Sequence, residues 1–494
     1  MAHVIAIDAG TSGVRALAID ESAQVSHISY RELTQYYPQP GWVEHDAGEI
    51  WRFVQETLLD VTSRLAEDGQ TVSAIGITNQ RETVVAWDRD SGAPLARAIV
   101  WQDKRTAPRC ASLRDAGHLE TIRSTTGLVL DPYFSATKMH WLLDEGSLKV
   151  TPSLALGTVD SWILWNLTNG VFATDLSNAS RTMLCDIDTG QWSPELCDLF
   201  GVPLDSLAEI RPSCGRFGQV AHLELEALHG VPISGILGDQ QAALFGQACF
   251  APGMVKATYG TGAFVVLQAG TTLPPISEGL LTTVAWDLGE GSGVSYAIEG
   301  SAFVAGAAIQ WLRDELGILG DASEIEPLAR SVSGSDGLSF IPAFVGLGSP
   351  WWDESARGAL IGITRGSNRA ALANAVIDAM AFEVRAITDA MQAVARDNLV
   401  ELRADGGAAV MDLLLERQAD QSRLDVARPI SLDTTARGAA TIAGLAEGVF
   451  ESLEQLSSLW HVHSRFSPSR DAASADAAYA TWLHALEKTQ DWVR

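Results

Sequence analysis

"HVIAIDAGTSGVRALAID" (residues 3–20) reads as two apolar strands joined by a tight turn of Gly, Thr and Ser. The same device returns at "MVKATYGTGAFVVLQAG" (254–270), where a Gly-Thr-Gly turn separates two further apolar runs. One such hairpin in each half of the chain suggests two related domains facing one another. Glycine and hydroxyl residues at a strand turn let backbone N–H groups approach a phosphate with no Cβ in the way. Neither turn is a P-loop, since no G-x-x-x-x-G-K-S/T run occurs, and no G-x-G-x-x-G opens a helix after the first strand. Taken singly, each turn is also an ordinary hairpin tip.

Around the hairpins the chain alternates strand-like runs ("AIGITNQ", "TVVAWD") with helix-like ones. "GEIWRFVQETLLDVTSRLAED" carries apolar residues at helical spacing. The mixture predicts an α/β protein with a substantial sheet. At 494 residues the chain exceeds what one core normally supports. A Pro-Gly pair in "GQACFAPGMVK" marks a boundary, dividing the chain into residues 1–250 and 251–494. Residues 450–494 read as a helical tail.

Composition excludes several classes of function. The formal net charge is -27 and no basic stripe occurs, which argues against binding nucleic acid or an anionic membrane surface. An anionic ligand must then be attracted by a local site against the general field. No apolar run is long enough to span a bilayer, and the strand-like start has no leader pattern. Five scattered cysteines without C-x-x-C spacing predict free thiols in a reducing cytoplasm.

"GILGDQQAALFGQ" (235–247) poses a sharper question. An apolar run ends in Gly238, Asp239, Gln240 and Gln241 before an Ala-rich helix begins. Asp239 suits a helix start, where its carboxylate would accept the free N–H groups of the first turn. It equally suits the carboxyl end of a buried strand opening into a ligand cleft. Likewise Arg81 and Glu82 follow the strand-like "AIGIT"; an isolated pair of this kind reads as a surface ion pair. The aromatic residues Trp101, Tyr133 and Phe264 would ordinarily be core.

Taken together, "DAGTSGVR", "YGTG" and "DGGAAV" (405–410) resemble the two phosphate hairpins and the adenosine loop of the actin-like ATPase superfamily. "YFSATKMHWLLDE" and "PWWDESARGALIGITRG" are similar to the signature regions of the FGGY carbohydrate kinases. Within that family "NQRE", "VWQDKR", "DPYFS", "GDQQ" and "GAAIQWLRDEL" look like the blocks of its glycerol kinase branch, in order and over nearly the whole chain.

The resemblance implies two actin-like, ribonuclease-H-like domains with a cleft between them, and phosphorylation of glycerol by Mg-ATP. It implies Asp239 as catalytic base, and Arg81, Glu82, Gln240, Trp101, Tyr133 and Phe264 around the polyol. For ATP it implies Thr11, Ser12 and Arg15 from the first hairpin with Thr261 and Gly262 from the second. Gly306, Gln310, Gly406, Gly407 and Ala408 would line the adenosine side. Mg²⁺ would lie near Asp8 and Asp239. A homodimer or homotetramer is the family expectation. Competing readings are a kinase for another polyol or sugar, such as erythritol or a pentulose, and a non-catalytic actin-like protein.

Two departures from the family pattern stand out. Met411 and Asp412 occupy positions where many glycerol kinases carry adjacent asparagines, which bears on the choice of base. The segment "HLELEALHGVPISG" is acidic and lacks the arginine of the loop through which fructose 1,6-bisphosphate inhibits bacterial members. No inhibition through that segment is expected.

Overall fold

Each glycine-rich turn is the tip of an antiparallel hairpin, and each hairpin belongs to its own sheet. The computed structural model describes residues 2–492. The first sheet contains β1 (Ala2–Ala9), β2 (Gly13–Ile19), β3 (Val25–Glu32), β4 (Thr71–Asn79), β5 (Cys214–Gln219) and β6 (Pro232–Gly238). Its spatial order is β5-β6-β4-β1-β2-β3. β1 and β2 pair antiparallel with Ala9 opposite Val14, while β4 runs parallel to β1, and β6 parallel to β4.

The second sheet repeats that plan. It contains β7 (Met254–Tyr259), β8 (Ala263–Gly270), β9 (Leu281–Asp287), β10 (Val294–Ala302), β11 (Glu401–Asp405), β12 (Asp425–Pro429) and β13 (Val462–Phe466), in the order β9-β10-β8-β7-β11-β12-β13. β7 and β8 form the hairpin, and β11 and β12 continue parallel to β7. The duplication suggested by two glycine turns is thus a duplication of sheet topology.

Seven helices matter for the site: α1 (Ala47–Glu67), α2 (Ser135–Leu143), α3 (Asp239–Gly246), α4 (Gly306–Asp314), α5 (Arg369–Val394), α6 (Thr434–Ala446) and α7 (Ala472–Leu486). α1 starts at Asp46, whose carboxylate caps the N–H groups of Gly48 and Glu49, and it buries Ile50, Phe53, Val54, Leu58 and Val61 on one stripe. Strand alternation decides what β1 meets. Ile5 and Ile7 share a core with the α1 stripe, whereas Val4 and Ala6 face the other way into a core with Ala242, Leu244, Ala439 and Ala440. A strand covered on both faces reads as a continuous apolar run, as β1 does.

The expected boundary at 250/251 lies in the connection between α3 and β7, but the two halves are not independent bodies. α6, from the second half, lies on the first sheet and on α3, and glycines permit the approach. A Cβ on Gly438 would sit 1.8 Å from the Ala242 carbonyl oxygen, one on Gly246 1.9 Å from that of Thr434, and one on Gly76 1.9 Å from that of Ala439. The tail also departs from expectation, since β13 adds a strand antiparallel to β12 before α7 begins. "VHSRF" alternates in exposure, and the open edge of β12 supplies its hydrogen bonds. Pairing overrides the local reading.

Substituting Gly438→Ala forces the α3–α6 backbones apart. Its cost is about 3 kcal/mol, with a fall in Tm of about 5 °C or more, measured by differential scanning fluorimetry.

Candidate active site between the two sheets

The carboxyl ends of β1, β4, β6, β7 and β11 lead into Thr11, Arg81, Asp239, Thr261 and Gly406, where open α/β sheets place their ligands; Arg15, Phe264, Gly306 and Gln310 lie on β2, β8 and α4, and Trp101 and Tyr133 on loops of the first half. At the first tip the Gly10 N–H donates to the Gly13 carbonyl at 2.9 Å, leaving Thr11 partly open and Ser12 exposed. Arg15, on β2, donates to Asp8 at 2.7 Å and to Asp433, just before α6, at 2.6 Å. Asp8 therefore already holds a cation.

The second tip is braced by α4. Ala305 and Gly306 donate their N–H groups to the carbonyls of Thr261 and Gly260 at 2.7 and 2.9 Å. A Cβ on Gly306 would lie 2.6 Å from the Gly260 oxygen, so only glycine allows the contact. Thr261 and Gln310 are exposed, and Gly262 is buried. Gly406 follows β11 at φ +88 and packs on Tyr259, with Gly407 exposed beside it. Ala408 is turned into the core. Met411 joins that core, and Asp412 pairs with Arg428 at 2.8 Å.

The three aromatics come together. Trp101 lies edge-to-face against Tyr133 and Phe264, with ring centroids 5.4 and 6.4 Å away, and its Nε1–H donates to Thr11 Oγ1 at 2.9 Å. One indole thus joins the first tip to the second hairpin. Lys138, on α2, fixes the loop behind this wall, a role the sequence reading missed. Its buried ammonium donates to the carbonyls of Pro132, Tyr133 and Phe134 at 2.6, 2.6 and 3.1 Å. Burial lowers its pKa to about 7.

Arg81 and Glu82 are not a surface pair. Each is 2% exposed, and their principal partners are not each other. Arg81 Nη1 donates to both oxygens of Glu299 at 2.8 and 2.9 Å and to Gln241 at 3.0 Å. Glu82, at φ +62, accepts from Arg181 Nε at 2.6 Å. Glu299, Arg181, Gln241 and Lys256 were not anticipated. A lone acid in "VSYAIEGSA" and a lone base in "MVKATY" were the available signals, because a charge inside an apolar strand requires a buried partner.

Asp239 is the first residue of α3, and Gly238, which has no side chain to cap with, stands at the N-cap. The carboxylate keeps 30% exposure at the edge of the cleft and lies 3.1 Å from Arg81 Nε. Burial raises its pKa to about 6, Arg81 pulls it down, and Glu82 pushes it up. Gln240 is held by the Lys256 ammonium, which also donates to Thr258 Oγ1 at 2.9 Å. Among the described residues no group of three or more His, Cys, Asp or Glu is arranged to hold a metal. That donor set suits Mg²⁺ arriving on phosphate oxygens, which needs only one or two carboxylates.

Twin sheets whose facing tips flank a half-exposed carboxylate, with an aromatic wall beside it, define a phosphotransferase acting on an alcohol. The model of the FGGY family of carbohydrate kinases, N-terminal domain, matches residues 3–246, and its C-terminal domain model matches 255–447. The chain belongs to that family. It is 46% identical to a glycerol kinase of Chromobacterium violaceum, over 99% of this chain and 98% of that one. A glycerol kinase of Halorhodospira halophila is 47% identical over 100% of this chain and 97% of its own. Among solved structures, Plasmodium falciparum glycerol kinase with ADP superposes with TM-score 0.92 at 32% identity, covering 99% of this chain and 98% of that one. A xylulose kinase of Lactobacillus acidophilus, at TM-score 0.89 and 19% identity over 99% and 98% of the two chains, shares the fold.

Lys138→Met strips three carbonyls of their donor. It costs about 3 kcal/mol in stability and raises KM for the acceptor about tenfold as Tyr133 loosens, measured by denaturant titration and steady-state kinetics.

Proposed function

We propose that this chain transfers the γ-phosphoryl group of ATP to a terminal hydroxyl of glycerol, forming sn-glycerol 3-phosphate, with Asp239 as the base. The observation that carries this reading is the placement of Asp239, beside Arg81 and Glu82 at the end of β6. Full-length relatives named glycerol kinase support the choice of acceptor.

A three-carbon polyol needs paired donors and acceptors for its hydroxyls and an apolar surface for its C–H face. Arg81, Glu82 and Gln240 supply the former; Trp101, Tyr133 and Phe264 supply the latter. The terminal O–H gives its proton to Asp239 as its oxygen attacks the γ-phosphorus in line and ADP leaves. The transition state is loose, so positioning and charge neutralisation supply most of the acceleration. A carboxylate with pKa about 6 is ionised at neutral pH and more basic than an ordinary one. Thr11, Ser12, Arg15, Thr261 and Gly262 surround the phosphates. Asp8 and Asp239, with the phosphates, would hold Mg²⁺, which would supply charge neutralisation at the transferred group. A cytoplasmic setting and a dimeric or tetrameric assembly belong to the same reading.

Asp239→Asn lowers kcat with glycerol about 10³-fold while glycerol binding persists, measured by coupled ADP release and by quenching of tryptophan fluorescence. An unchanged rate refutes the base. A panel of glycerol, erythritol and pentuloses run with several nucleotides tests the acceptor, and a preference for a pentulose overturns glycerol.

The segment 222–230 packs beside α1 through a hydrogen bond from Gln55 to Glu224, and Glu224 and Glu226 face any approaching dianion with no arginine among them. Fructose 1,6-bisphosphate at millimolar concentration leaves the rate unchanged in the same assay.

A further inference from the structure

Every carbonyl of the first tip is already engaged. Gly10 O accepts from Gln80 Nε2 at 3.2 Å, and Thr11 O accepts from Gln35 Nε2 at 2.8 Å. Ser12 O accepts twice, from the Leu33 N–H at 2.9 Å and from the Tyr30 hydroxyl at 3.2 Å. Among the described residues, the N–H groups of Thr11 and Ser12 have no acceptor. These facts are linked by covalent geometry. A planar trans peptide points its C=O and the next N–H in opposite directions. An amide that pins Gly10 O therefore aims the Thr11 N–H, and one that pins Thr11 O aims the Ser12 N–H.

The two pinning amides meet at one buried side chain. His45 is 0% exposed and immediately precedes Asp46, the cap of α1. Because the Gln35 nitrogen faces Thr11 O, its oxygen faces His45, and the ring must donate from Nε2, at 2.8 Å. The Gln80 nitrogen carries two hydrogens, one for Gly10 O and one for His45 Nδ1 at 3.1 Å. The Gln80 oxygen accepts from Thr83 Oγ1 at 3.0 Å, which settles the orientation of that amide. One neutral tautomer fits, a donor at Nε2 and an acceptor at Nδ1. Burial lowers the imidazole pKa to about 4 and keeps the ring in its neutral form.

We propose that His45 is a positioning residue for the nucleotide: by orienting the Gln35 and Gln80 amides, it fixes the two peptide planes whose N–H groups bind the phosphate chain. The inference rests on the reading of the first tip as a phosphate site given above. His45 does not itself reach the ligand and acts through the two glutamines. Donors held in place before an anion arrives need no reorganisation to receive it. A turn free to rotate would satisfy those N–H groups elsewhere and lose that advantage.

His45→Phe keeps the ring and removes both nitrogens. KM for ATP and Kd for ADP rise about tenfold, while KM for glycerol stays within about twofold, measured by steady-state kinetics and titration calorimetry. His45→Gln places an amide nitrogen where Nε2 stood and restores the bond to Gln35. It brings both nucleotide constants back to within about threefold of wild type. A purely structural His45 would lower Tm in both variants while the nucleotide constants stay at wild-type values, or would raise KM for glycerol as much as KM for ATP. Either result overturns the proposal. Should the Phe variant fail to fold, Gln35→Met is read instead, at a half-buried position. It removes the donor from Thr11 O, so KM for ATP and Kd for ADP rise severalfold and KM for glycerol does not; unchanged nucleotide constants overturn the proposal. A wild-type chain that binds no ADP refutes the reading of the tips, and this inference with it. Unchanged binding in the variants of a chain that does bind ADP refutes the inference alone.

Discussion

The two sheets are held together where α3 and α6 touch backbone to backbone. Each helix comes from a different half of the chain, and glycines at 246 and 438 bring the axes closer than any side chain would permit. This contact fixes where the end of β6 stands relative to the second hairpin, because α3 begins at Asp239 itself. It also ties the first sheet to the end of β11. Thr434, the first residue of α6, donates to Asp405 at the end of β11, and Asp433 just before it accepts from Arg15 of the first hairpin. A helix pair with no slack turns two separate tips into one site.

With that frame set, burial makes the electrostatics decisive. Arg81, Arg181, Glu82 and Glu299 are all within the protein interior, where an unpaired charge costs several kcal/mol. The network is balanced, and it contains no spare cation. Such a set adds little net stability compared with apolar packing, but it fixes directions. The Arg181–Glu82 bond holds Glu82 where its φ is a left-handed +62, and Asp239 keeps 30% exposure beside Arg81.

What the sequence made legible was local. The hairpins were readable because turn residues and apolar alternation sit within a few positions of each other. Asp239 and Arg81 were readable because each follows an apolar strand directly. Their partners were not. Arg81 and Glu299 lie 218 positions apart, and no local pattern links them. The strand β13 was missed for the same reason: its polar alternation acquires meaning only beside the edge of β12. Met411 shows the converse limit. Aligned by motif it stood at the base, whereas its side chain is core, since an apolar group at the start of a helix turns inward where it can.

The overall charge of -27 gives the site its final constraint. A triphosphate approaching this surface meets repulsion, and the cations nearest the tips are already engaged. Arg15 is shared by Asp8 and Asp433, and Lys256 is committed to Gln240 and Thr258. Further attraction comes from groups that carry no net charge. These are the backbone N–H groups of the two tips and the amino end of α4, whose dipole points at the second turn. Glycine at the tips is therefore an electrostatic choice as much as a steric one: it exposes peptide dipoles where the balanced interior leaves no spare cation to offer.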